Sequence, residues 1–63
     1  MTNKLKDCRE AKNLSQSKLS EISGVSRPTI IKIEKGEGAE LKTSTLVKLA
    51  DALGSKVSDI FFE

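Results

Sequence analysis

Two short stretches of helical character, about Gln16 to Gly24 and about Arg27 to Lys35, are joined through nothing longer than Gly24-Val25-Ser26. Leu19 and Ile22 in the first stretch, and Ile30 and Ile33 in the second, recur at the spacing that puts apolar residues on one face of a helix. Ser15 precedes the first with a hydroxyl that can accept from the free amides of an opening turn. Gly24 stops it, because Gly enters the left-handed region without a Cβ penalty. Ser26 is the N-cap candidate of the second stretch, and Pro28 fits its first turn, where a missing amide hydrogen costs nothing. Helices joined so tightly must cross steeply. Leu19, Val25, Ile30 and Ile33 are expected to lock them from inside, leaving the first turn of the later helix to project outward.

The same periodicity runs through the rest of the chain, and nowhere is there an alternation of period two. A first helix is expected from about Lys4 to Lys12, with Leu5, Cys8 and Ala11 inward, broken by Asn13. Gly36-Glu37-Gly38 ends the third helix and opens a loop to about Lys42. Thr43 or Ser44 then caps a helix carrying Leu46, Leu49, Ala50 and Leu53, which stops at Gly54. Ser58 caps a last short turn with Ile60, Phe61 and Phe62. The expected fold is all-α and a single domain over 1–63. A chain of 63 residues buries only about 60% of the surface its unfolded form exposes, so no pocket-sized interior is expected.

Composition narrows the chemistry. There is no His and a single Cys, which excludes an internal disulfide, a Cys/His zinc set and a Ser-His or Cys-His nucleophile pair. The chain is therefore read as a non-enzyme with no metal, cofactor or small-molecule ligand, and Cys8 as a small core residue. No apolar run approaches 18 residues and the N-terminus lacks a signal-like apolar stretch, so a cytoplasmic location away from membranes is expected. The net charge of +2 conceals an asymmetry. Residues 1–35 carry eight Lys/Arg against four Asp/Glu, a balance of +4, while residues 36–63 carry three against five, a balance of −2. One face should attract polyanions and another should not.

Leu14-Ser15-Gln16 with Leu19, then Gly24-Val25-Ser26-Arg27 through Ile30, Ile33, Glu34 and Gly36, then Leu46 through Gly54, together resemble the lambda-repressor-like, Xre and Cro family of helix-turn-helix DNA-binding domains. The resemblance extends from Leu5 to Phe61. It implies five helices and sequence-specific contact with DNA, the second helix of the motif entering the major groove. Two departures stand out: Ser20 occupies a position where the family usually has Ala, and the loop Glu37 to Leu41 lacks the family's common Pro.

Carried over position by position, the resemblance places Arg27, Pro28, Thr29 and Lys32 at the bases. Arg27 can give two parallel donors to guanine, and Thr29 offers either its methyl or its hydroxyl. It places Gln16 against a phosphate at a helix N-terminus, with Ser15, Ser17 and Ser26 close by; Lys35, Lys42, Thr43 and Ser44 are further phosphate candidates. Arg9 and Glu34 are implied to be a structural ion pair joining the first and third helices.

Phe61 and Phe62, adjacent on a helix, cannot both face one core. One should be left partly exposed, and the resemblance implies pairing through C-terminal helices, so an isologous dimer is expected through Phe62 or Phe61, with Ile60 or Val57. The combined reading is a small dimeric transcription regulator, a repressor or controller on a palindromic operator, governed by its own concentration or by a partner. The alternative is a protein-interaction module, antitoxin-like or co-regulatory, with little DNA binding of its own.

Overall fold

The computed structural model describes residues 3–37 and 42–61. It contains five helices: α1 (Leu5–Ala11), α2 (Gln16–Ser23), α3 (Arg27–Glu34), α4 (Thr43–Ala52) and α5 (Val57–Phe61), with no strand among the described residues. α2 packs on both α3 and α4, α1 on α3 and α5, and α4 on α5. One core holds them: Leu5, Leu19, Val25, Ile30, Ile33, Leu49, Ala50, Leu53, Ile60 and Phe61 are buried, with Cys8, Leu14, Leu46, Ala52 and Val57 packed half-buried around it.

Each helix ends by a local device. Asn13 closes α1 at φ 57°, a left-handed conformation that Asn tolerates better than most residues. Its N–H bonds to the Glu10 carbonyl at 2.9 Å, and that of Leu14 bonds to Arg9 at 3.2 Å, so two of the orphan carbonyls of α1 are satisfied. Gly24, at φ 77°, stops α2 with its N–H on the Ser20 carbonyl at 3.0 Å. A side chain there would be strained even though no atom lies within 4 Å of the Cβ position. The start of α1 is also tied to α5, Lys4 N–H donating to the Ile60 carbonyl at 2.8 Å.

Several local expectations are corrected. Ile22 is 47% exposed rather than inward. The face α2 turns inward is Gln16, Leu19, Ser20 and Ser23, spaced three or four apart, and Ile22 falls off that stripe. Ala11 is likewise exposed, because it stands six residues, about 240° of rotation, past Leu5, whereas Arg9 lies one turn from Leu5 and is buried. The N-cap of α4 is Lys42, whose side chain has no acceptor, rather than Thr43 or Ser44, which are already helical. Ser58 lies inside α5. The carboxylate that closes its first turn is Asp59, which accepts from the Lys56 N–H at 3.2 Å.

Candidate nucleic-acid interface

One face of α3 is open to solvent. Arg27, Pro28 and Lys32 are exposed while Ile30 and Ile33, on the opposite side of the same helix, are buried. Among the described residues the Arg27 guanidinium makes no ion pair or hydrogen bond, so its five donors remain available to an external acceptor. Thr29 differs from these three. It is half-buried, and its hydroxyl lies 2.8 Å from that of Ser26. Ser26 thus occupies the N-cap position with extended backbone but does not cap with its side chain. Its hydroxyl is engaged by Thr29, unlike Ser15, which accepts from Lys18 N–H at 2.9 Å.

The other end of α3 is cross-linked to its neighbours. The Nε of Arg9 donates to Glu34 Oε2 at 2.7 Å, and its second terminal nitrogen reaches Oε1 at 3.3 Å. The remaining terminal nitrogen donates to the Leu14 carbonyl at 2.6 Å, which the turn at Asn13 has brought round to meet it. Gln16 Nε2 completes the cluster, donating to Glu34 Oε1 at 3.0 Å. The Arg9 and Glu34 side chains are only 10% and 5% exposed, so α1, the α1–α2 turn, α2 and α3 meet on one desolvated ion pair. The hydrogen bond that Arg9 donates to Glu34 raises the Arg9 pKa above the usual guanidinium value, outweighing the opposing effect of burial.

Sequence reasoning missed Asn3. Its Oδ1 accepts from Leu5 N–H at 3.0 Å, and its Nδ2 donates to the Ile33 carbonyl at 2.8 Å, fixing the start of α1 to the end of α3. The available signal was an Asn two residues before a helical stretch, a common place for a side chain that satisfies opening amides.

The remaining candidates divide by exposure. Ser15, Ser17, Ser26, Lys35, Lys42, Thr43 and Ser44 are exposed, and Gln16 is half-buried with one of its two amide hydrogens used by Glu34. No side chain caps α4, so the first-turn amides of Thr43 and Ser44 have no intrahelical acceptor. At the other end of the chain, Ile60 and Phe61 are 1% and 3% exposed. This corrects their assignment to a dimer surface, since both side chains are consumed by the core of their own chain. Val57 is half-buried, and Phe62 lies outside the described residues, as does the loop over 38–41.

No helix among the described residues is long and apolar enough to cross a membrane. The helix-turn-helix family model matches residues 5–60. Over 62 residues the chain is 48% identical to an uncharacterized HTH-type transcriptional regulator of Methanocaldococcus jannaschii, covering 97% of this chain and 91% of that protein. It is 39% identical over 62 residues to another uncharacterized HTH-type transcriptional regulator, from Bacillus subtilis, covering 98% and 92%. With five helices in this order and an exposed outer face on α3, the chain belongs to the lambda-repressor-like helix-turn-helix family of DNA-binding regulators, which are not enzymes.

Proposed function

We propose that this chain is a single DNA-binding unit that acts in the cytoplasm as a homodimeric repressor, occupying a two-fold symmetric operator. The observation that carries the reading is the division of α3 into a buried underside and an exposed outer face holding Arg27, Pro28 and, one turn further on, Lys32. Arg27 donates to guanine O6 and N7 in the major groove. Pro28 makes apolar contact, and Lys32 reaches either a base or a phosphate. Thr29 supports them from the side. Gln16, with Ser15 and Ser17, holds one phosphate at the α2 N-terminus, and the uncapped amides of Thr43 and Ser44, with Lys42, hold another. Ser26 and Lys35 are further phosphate contacts.

Size supports the dimer. The molecule measures 24 × 21 × 19 Å, less than the roughly 34 Å that separates successive major grooves on one DNA face. A single copy cannot read two of them. With Ile60 and Phe61 consumed by the core, pairing falls to Val57 and Phe62.

Selection of bound duplexes from a random double-stranded pool at moderate salt tests this reading, since phosphate-driven affinity varies steeply with salt. Enrichment of a two-fold symmetric site with half-sites about one turn apart is the expected result. An unenriched pool would remove the DNA-reading assignment in favour of a protein-interaction module.

A further inference from the structure

We propose that Ile31, with Pro28 beside it, is a specificity-determining residue that reads the 5-methyl group of thymine in the major groove; the inference rests on the DNA-reading role of α3. Ile31 is half-buried, yet it is neither in the core cluster nor among the half-buried apolar residues packed against it. Its two isoleucine neighbours, Ile30 and Ile33, supply the apolar underside of α3. Ile31 is thus a third large apolar side chain on this helix that stands outside the core cluster and keeps part of its surface accessible.

The helical surface around Ile31 indicates its role. Residues three and four apart are neighbours on a helix, which sets Pro28 and Arg27 on one side of Ile31 and Glu34 and Lys35 on the other. Pro28, Arg27 and Lys35 are exposed, whereas the Glu34 carboxylate is held by Arg9 and Gln16. Exposed Pro28 and the accessible part of half-buried Ile31 thus form an apolar strip bordered by two cations and free of unpaired acid. A β-branched side chain on a helix keeps essentially one rotamer, so the strip is stiff. Positive charge around a small rigid apolar patch is complementary to a major groove, where phosphates flank the bases and thymine alone among the four presents a methyl group. An apolar protein partner would have no use for the bordering cations.

The test measures affinity for the duplex recovered by selection, with each thymine of a half-site replaced singly by deoxyuridine, which removes the methyl and nothing else. The wild-type chain should lose about fourfold at one thymine, the factor that corresponds to one buried methyl. Ile31→Ala should bind the thymine duplex more weakly, lose nothing further at that position, and melt within a few degrees of wild type because Ile31 is outside the core. Wild-type indifference to deoxyuridine at every thymine would overturn the proposal, as would an equal fourfold loss in Ile31→Ala. The deoxyuridine series on the wild-type chain requires no variant to fold. Specific binding combined with deoxyuridine tolerance removes this inference alone. Absence of any preferred duplex removes it together with the DNA-reading assignment.

Discussion

The two ends of α3 are built on opposite terms. At the C-terminal end, Glu34 is nearly buried, shared between Arg9 and Gln16, and bordered by Ile33, whose carbonyl takes the Asn3 amide. At the N-terminal end Arg27 and Pro28 are exposed, and among the described residues the side-chain bond there is the one between the Ser26 and Thr29 hydroxyls. Eight residues thus carry an anchor and a free probe on one rigid element, and rigidity at one end fixes where the other points. Stability should be concentrated at the anchored end and recognition at the free one.

The largest expected effect breaks the anchored end. Glu34→Ala leaves the Arg9 charge desolvated without its partner and should cost about 3 to 5 kcal/mol in urea denaturation. Glu34→Gln keeps acceptors for Arg9 and Gln16 and should cost less. Equal stability of all three chains would show that the pair does not anchor α3. At the free end the same kind of truncation should act differently. Arg27→Ala should leave the urea midpoint unchanged while weakening the selected site by about 1 to 3 kcal/mol, with the loss confined to one guanine position.

A smaller contrast compares two serines in equivalent places. Ser15 caps α2 through its hydroxyl, and Ser15→Ala should cost about 1 kcal/mol of stability. Ser26 stands at the same position of α3 without capping an amide, so Ser26→Ala should cost clearly less in the same denaturation assay. Equal losses would mean that the two helix starts are stabilised alike. The smallest effect is that of pH. A folded-state pKa raised above the unfolded value gives stability that is complete below the unfolded value and lost only as pH rises through the folded one. For Arg9 that window lies above the ordinary guanidinium value, well outside the range between pH 6 and pH 8. With no His in the chain, the urea midpoint should be the same at pH 6 and pH 8, and a drop between them would show that another titrating group holds the fold.

Most of the fold was legible because apolar periodicity and stop residues agree with each other. Leu19, Ile30, Ile33, Leu49 and Leu53 occupy the buried face their spacing implies, and Gly24, Gly36 and Gly54 take the positive φ that ends a helix. The errors arose where a polar group displaced an apolar one from the inward face. Arg9, not Ala11, joins Leu5 in the interior of α1, and Ser20 and Ser23, not Ile22, complete the inward stripe of α2. Periodicity weighs side chains by hydrophobicity, whereas the structure accepts an Arg inside when a carboxylate and a carbonyl give each of its three nitrogens a partner. The candidate site was legible as far as Arg27, Pro28 and Lys32, whose exposure follows from two buried isoleucines beneath them. Other details were hidden in the sequence. The Ser26–Thr29 bond depends on rotamers, and the burial of Ile60 and Phe61 depends on where α5 docks between α1 and α4.

The central claim is that the free half of α3 reads base sequence while the anchored half holds it in place. Its most direct test is a side-by-side base-preference profile of the wild-type chain and Arg27→Ala, taken from the same random duplex pool at one salt concentration. A symmetric site that keeps its spacing but loses a guanine preference in each half-site of the variant is the predicted result. Identical profiles, with the guanine preference intact in Arg27→Ala, would contradict it.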